Sequence, residues 1–447
     1  MIHPMKQRIF ILIGMLLAIA SHSQTLPPKQ LSLAQAMQTA IEKRYDIQAN
    51  KLDVDIAVNK IGKAKNEWLP TIKADGEVRY NAQLQTMILD GFNNNGGKER
   101  IEVGTTNFTT LSMDLSQNIY KPGLKADIHI AEVEKKAEQE KATEKENTIR
   151  MQVAEAYLNV LLKQQQLLLI KENTQRYKEY LDVASERKRL GTILETDLLK
   201  AQTDLENAKL TEKESAQNYE LSMNALRHQM NMKDDIPLAL TDSLAILIST
   251  HQQAEYPTSM QERPELKQLV FLKEANDLKI KKESYKWTPT LSLTGNYTTL
   301  YQAADFKYTA SLWTPYNYIG VKASLPITEL LRTNTNKKEF QLKASQLDMQ
   351  YKQKQQDLNY EVSRNQTELW NAADNIQLAE KSLALSRTLH QNQLNNYKHG
   401  TVTYSSILDA AATINTAEQN YIKAVYNYLL AYYNFKKLSG FEVSNHH

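Results

Sequence analysis

Part of this chain is written twice, and that restricts its fold more than any other feature. Lys60-Ile61-Gly62-Lys63 through Trp68-Leu69-Pro70-Thr71 to Gly76 recurs as Lys279-Ile280-Lys281-Lys282 through Trp287-Thr288-Pro289-Thr290 to Gly295, an offset of 219 from 60 to 279. Gly191-Thr192-Ile193 through Leu198-Leu199 to Ala201 recurs as Gly400-Thr401-Val402 through Ile407-Leu408 to Ala410, an offset of 209 from 191 to 400. Both windows keep their order, so two similar halves are expected before any element is assigned. The offsets differ by ten, which puts a longer loop in the first half between Gly76 and Gly123.

The halves are built for long helices. Only 13 Gly and 11 Pro occur in 447 residues, about half the shares of roughly 7% and 5% usual in proteins. Leu31 to Glu67 has helical spacing through Leu33, Met37, Ala40, Ile41, Ile47, Leu52, Ile56 and Ile61. Pro70 closes it, because proline lacks the amide donor and disfavours helix before it. Gly123 to Gly191 predicts a helix of roughly 68 residues, about 100 Å at 1.5 Å per residue. Leu194–Met232 and Gln261–Lys286 return over a similar total. The second half repeats this with Glu329–His399, returned by Thr403–Leu438 and Leu31–Glu67. The helices are polar with narrow apolar stripes, as antiparallel coiled coils require. Leu158, Leu161, Leu162 and Leu168 read as packing, and Glu132–Glu146 as a solvated face.

Between helices the period falls to two. Ile72, Ala74, Gly76, Val78 and Tyr80 alternate with Thr71, Lys73, Asp75, Glu77 and Arg79, the pattern of a strand with one apolar face. Strands are expected at about 71–82, 106–119, 290–301 and 316–327, with a loop at the Asn- and Gly-rich Gly91–Gly97. Aromatic residues crowd the strand ends: Trp68, Tyr80, Phe108, Tyr120, Trp287, Tyr297, Tyr301, Trp313, Tyr316 and Tyr318. Four strands cannot close a barrel with a lumen, and lipid tolerates no open sheet edge. Three copies would supply twelve, an even number in the known range. Apolar residues would then meet lipid, Lys73, Asp75, Glu77, Arg79 and Asp114 a wet lumen, and Trp68, Tyr80, Tyr120, Trp287 and Tyr297 the membrane interfaces. The competing arrangement is a soluble sandwich with one buried face, for which a second sheet is missing.

Several classes are excluded. The longest apolar run, Ile9–Ala20, is well under the roughly 18–20 residues a spanning helix needs. There is no cysteine, hence no disulfide, thiolate metal site or Cys nucleophile. The net charge of +3 is too small to suggest nucleic acid. No Walker loop, His-Glu-x-x-His, nucleophile elbow or dinucleotide fingerprint is found, so no catalytic residue, cofactor or metal ligand is assigned. Lys6 and Arg8 before Ile9–Ala20, with Ser21-His22-Ser23 after it, have the layout of a secretory signal peptide spanning 1–23. The remaining organisation is a first repeat over 24–232, a linker or equatorial region over 233–260, a second repeat over 261–440 and a tail over 441–447.

These residues resemble the TolC-type outer-membrane efflux proteins. The resemblance rests on the duplicated helix–hairpin–long-helix–helix order, Leu31-Ser32-Leu33, Trp68-Leu69-Pro70, Gln117-Asn118-Ile119-Tyr120 and Tyr397-Lys398-His399-Gly400-Thr401, and covers essentially the whole mature chain. It implies a mainly α fold with a small membrane β part: a trimeric 12-stranded β-barrel continued by a periplasmic α-helical barrel. It implies an exit duct of a tripartite efflux or type I secretion system in the cell outer membrane. Its partners would be two further copies, a periplasmic adaptor, an inner-membrane pump of RND, ABC or MFS type, and outer-membrane lipid. The alternative from another class is a periplasmic adaptor, which would usually have one helical hairpin and a lipoyl-like β-domain. Gly191, Thr192, Gly400 and Thr401 mark the helix reversals, which the resemblance makes the adaptor-facing periplasmic mouth. Thr192 with Glu195 fits a capping box opening the next helix. The resemblance places gate residues at Thr196, Asp197, Ser406, Asp409 and Tyr397. Ser406 replaces a family carboxylate, and Val402 stands where a locking Arg can occur.

Overall fold

The computed structural model describes residues 29–90, 98–233, 237–250 and 262–439. The expected signal peptide, the 91–97 loop, part of the 233–260 linker and the tail lie outside the described residues. In chain order the elements are β1 (Lys29–Leu31), α1 (Leu33–Lys43), α2 (Tyr45–Asn66), β2 (Thr71–Tyr80), β3 (Gln85–Asp90), β4 (Lys98–Val103), β5 (Asn107–Tyr120), α3 (Leu124–Arg189) and α4 (Glu195–Gln229). There follow β6 (Leu238–Leu240), α5 (Leu244–Thr250), α6 (Pro264–Ser284), β7 (Thr290–Ala303), β8 (Trp313–Ser324), α7 (Ile327–Lys398) and α8 (Tyr404–Ser439). Helix dominates, and α3 and α7 run for 66 and 72 residues. The chain groups into two compact units, each drawing segments from both halves of the sequence.

The described residues of the first unit lie within 29–49, 145–250 and 358–439. Ser32 caps α1 in a reciprocal box: its hydroxyl accepts from Gln35 N, and Gln35 Oε1 accepts from Ser32 N. The spacing that suggests one helix over Leu31–Glu67 is interrupted at Arg44, which is extended (ψ 131°). Its guanidinium holds both Asp46 oxygens at 2.9 Å and Gln229 Oε1 at 2.7 Å, so the interruption is paid in charge-assisted bonds. Those bonds, led by the hydrogen bond from Arg44, keep the Asp46 carboxyl below its ordinary pKa. Tyr157, Leu158, Val160 and Leu161 of α3 are buried in one core with Leu226, Met230 and Leu429. Leu168 departs from its expected stripe and is exposed; Leu169 is buried instead. A short parallel pairing, Lys29–Leu31 with Leu238–Leu240, was not foreseen. The Tyr157 hydroxyl lies 2.9 Å from both Leu31 O and Asp242 Oδ2, and Asp242 also accepts from Leu33 N.

The second unit holds residues 50–144 and 261–357. Its main sheet is antiparallel in the order β2-β5-β7-β8, a meander-like order in which both outer strands keep one unpaired edge among the described residues. One register row joins Ile72, Leu115, Gly295 and Ile319, and the next row on that face joins Ala74, Met113, Tyr297 and Asn317. The opposite face carries Lys73, Asp114, Asn296 and Tyr318 in one row. The long loop of the first half is itself a hairpin: β3 pairs with β4, from Gln85↔Val103 to Asp90↔Lys98. Four strands were expected and eight occur among the described residues. Of the missed ones, β1 and β6 have three residues each, too short for period two, and Gln85–Asp90 and Lys98–Val103 do not alternate strictly.

Candidate functional site

Two regions carry the chemistry, one in each unit. In the first unit, α3 and α7 end in the same motif. Gly191 (φ +72°) and Gly400 (φ +77°) adopt the left-handed conformation that glycine alone enters without a Cβ penalty. Gly191 N donates to Lys188 O and Thr192 N to Arg187 O; Gly400 N donates to Tyr397 O and Thr401 N to Asn396 O. These paired bonds are Schellman caps, which satisfy carbonyls that the helix end would leave bare. The threonine hydroxyls add a further bond each, to Arg187 O and Asn396 O at 3.0 Å.

This corrects the capping-box expectation. Thr192 turns back onto α3, and α4 begins at Glu195 with Leu194 at its N-cap, where the side chain offers no cap. Glu195 instead pairs with Lys188 at 3.0 Å. At the second tip Thr403 does cap: its hydroxyl accepts from Ser406 N at 3.4 Å.

The tips are tied to each other. The Arg187 guanidinium lies 5.1 Å from the Tyr397 ring centroid, and its Nη1 donates to the Tyr397 and Val402 carbonyls at 3.4 Å. A cation at the C-terminal end of α7 also meets the negative pole of that helix. Lys398 pairs with Glu179, and the Tyr404 hydroxyl donates to Asp204 Oδ2 at 3.0 Å. Tyr397, Tyr404, Tyr180, Leu394 and Ile407 form the buried cluster beneath. Burial raises the Tyr397 phenol pKa, Arg187 opposes that, and the Asp197 carboxylate reinforces it. The Tyr397 hydroxyl is buried without a hydrogen-bond partner among the described residues. Thr196 and Asp409 are exposed, and Ser406 is half-buried within the cap of α8. Arg187 was missed in the sequence. Its counterpart across the 209-residue offset is Asn396, so the repeat itself carries no signal for a cation there.

In the second unit, the sheet is inverted relative to a soluble one. Its apolar face is bare: Ile72 is 65% exposed, Ile319 76% and Val321 68%. Its polar face is knitted together, with Asn296 Nδ2 donating to Asp114 Oδ1 and Thr298 to Asn296 Oδ1, both at 2.8 Å. Trp68, Tyr120 and Trp287 gather at the end where β2 and β7 begin, and the Tyr120 hydroxyl is 3.3 Å from Thr288 Oγ1. Tyr80 stands at the other end, where Tyr301, Tyr308 and Trp313 pack with ring centroids 4.9–6.3 Å apart. Tyr297 sits mid-strand, in the row of Ala74 and Met113. No described helix is long and apolar enough to cross a membrane, and no cluster suited to a metal occurs among the described residues.

A sheet with a bare apolar face, joined to helices of more than sixty residues, defines a class: a mainly helical protein with a small antiparallel sheet whose apolar side is exposed. The model of the outer membrane efflux protein family matches residues 36–231 and 256–440, and the chain belongs to that family. It is a family of export channels rather than enzymes. The Outer membrane protein TolC of Escherichia coli (strain K12) is 22% identical over 455 residues, which cover 98% of this chain and 87% of that protein. Among solved structures, CusC superimposes with a TM-score of 0.73 at 18% identity, covering 91% of this chain and 92% of its own. The CmeC outer membrane channel of Campylobacter jejuni gives 0.72 at 16% identity, covering 91% and 85%. The open state of the Neisseria gonorrhoeae MtrE outer membrane channel gives 0.67 at 16%, covering 91% and 88%. These likenesses establish the fold.

Proposed function

We propose that this protein is the outer-membrane exit duct of a tripartite efflux or type I secretion system, and that it works as a homotrimer. The observation that carries this is the four-stranded sheet with a bare apolar face and two open edges. An open edge is intolerable in hydrocarbon, so β2 of one copy pairs with β8 of the next until three sheets close into twelve strands. Lys73, Asp75, Glu77, Arg79 and Asp114 then line a wet lumen, and the terminal aromatics meet the headgroups.

The helices support assembly with further copies. Leu199, Leu210 and Leu221 repeat every 11 residues on α4 and are all exposed; on α7, Tyr360, Leu378 and Leu385 form a second exposed stripe. An 11-residue apolar period keeps the seam on one face with a slight right-handed winding, which suits packing against a neighbouring copy. The two sequence repeats, 24–232 and 261–440, would each contribute two strands of the barrel and a pair of helix segments to a periplasmic tunnel. The 233–260 linker would form an equatorial belt, and 1–23 would be removed on export.

The tips at Gly191-Thr192 and Gly400-Thr401 would form the periplasmic mouth and receive an adaptor, with an inner-membrane pump supplying energy. Asp197 and Asp409 would form rings of three that favour cations over anions in the resting mouth. The test is reconstitution of the purified chain into planar bilayers with fractionation of the expressing cells. An outer-membrane, channel-forming trimer supports the proposal; a soluble chain that never conducts overturns it.

A further inference from the structure

Continuous with the tip cluster, through Tyr180, lies a buried polar knot that neither the caps nor the Arg187 contacts use. The Tyr180 hydroxyl of α3 hydrogen-bonds His390 Nε2 of α7. Tyr180 is fully buried and His390 is 7% exposed. One turn earlier on α3, Arg176 Nη2 donates to Asn415 Oδ1 at 2.6 Å and to Glu418 Oε2 at 2.9 Å, both on α8. Its Nη1 reaches Glu418 Oε1 at 3.4 Å. Both oxygens of the buried Glu418 are thereby engaged. The charged and titratable groups facing His390 are Arg176, Glu179 and Tyr180 from α3 and Glu418 from α8; Glu179 is itself paired with Lys398.

That arrangement suits a neutral imidazole and penalises a charged one. In the neutral tautomer protonated at Nδ1, Nε2 accepts from the Tyr180 hydroxyl, which has no second acceptor among the described residues. A proton on Nε2 removes the acceptor and strands the tyrosine O–H in the interior, a cost of the kind buried unmet donors carry. It also sets a second cation near Arg176, with no free carboxylate to answer it. Burial first, then Arg176, holds His390 below its ordinary value, with Glu418 and Glu179 opposing.

We infer that His390 is a positioning residue of the tips, a proton-operated clasp that fastens α7 to α3 through Tyr180 when neutral and releases it when charged. Only the consequence, opening of the duct, rests on the reading of the tips as its mouth; the clasp is a property of the folded chain. The direction follows from linkage. A histidine whose folded pKa is depressed contributes fully above its unfolded value near 6.5, and the contribution is lost as pH falls through the folded value.

The experiment compares the full-length protein in detergent at pH 7.5 and 5.5 by amide hydrogen exchange, corrected for intrinsic rates, over peptides spanning 383–397. The wild type is expected to exchange faster at the lower pH, by at most about tenfold, the limit that one pH unit of linkage below 6.5 sets. His390→Gln, which keeps an acceptor for Tyr180 but cannot titrate, is expected to show no acid response. Tyr180→Phe, which removes the partner, is expected to exchange quickly at both pH values. An equal acid response in wild type and His390→Gln overturns the clasp, as does a wild type that does not respond. Bilayer currents in the same two buffers separate the two readings. An acid-sensitive exchange pattern lost in His390→Gln upholds the clasp even where no current is ever seen, and only the duct then falls.

Discussion

Leu194 and Thr403 occupy matching places, 209 positions apart, yet only Thr403 caps the helix it precedes. Leu194→Thr is therefore expected to stabilise the first turn of α4 by about 1 kcal/mol, read as slower amide exchange at Thr196 to Leu198. Asp197 and Asp409 belong to the same scale. Replacing both with alanine should raise single-channel conductance and weaken cation preference; unchanged conductance and selectivity would remove them from the gate. The glycines of both tips were legible, because a helix end followed by Gly-Thr has few other readings. The direction of the Thr192 hydroxyl was not, since its neighbours offer both a carbonyl behind and an amide ahead. Arg187 was hidden for a different reason: the carbonyls it holds, on Tyr397 and Val402, are more than 200 residues away in sequence. Nothing local marks such a partner.

At the scale of elements, the long helices and the four main strands were legible from Gly and Pro scarcity and from period two. The break at Arg44 was not, because the apolar spacing continues through it and only the bonds to Asp46 and Gln229 explain it. The sheet gives the sharpest prediction here. Ile319 lies on the bare apolar face, and Ile319→Lys should cost about 2–4 kcal/mol at mid-membrane depth, read as loss of the assembled oligomer on gels. Asp114 lies on the opposite face, bonded to Asn296. Asp114→Asn should leave assembly intact and shift ion selectivity. Equal assembly defects from both substitutions would mean that the two faces do not differ in what they meet.

For the whole molecule, one chain holds only part of what a channel needs: a sheet with two free edges and helices with uncovered leucine stripes. Leu210→Glu and Leu385→Glu each place a charge on such a stripe. Burying an unpaired charge is costly, so each should shift the detergent-extracted protein toward smaller species on sizing columns, with helix content unchanged by circular dichroism. The sequence repeat suggests two halves, but stoichiometry is not written in any local pattern. It emerges only when the strands of one chain are set against the minimum a lumen requires. The most direct test is native mass spectrometry of the full-length protein extracted in mild detergent. Three copies per particle are expected, and a particle that remains a single copy, with both sheet edges unpaired, would contradict the proposed barrel.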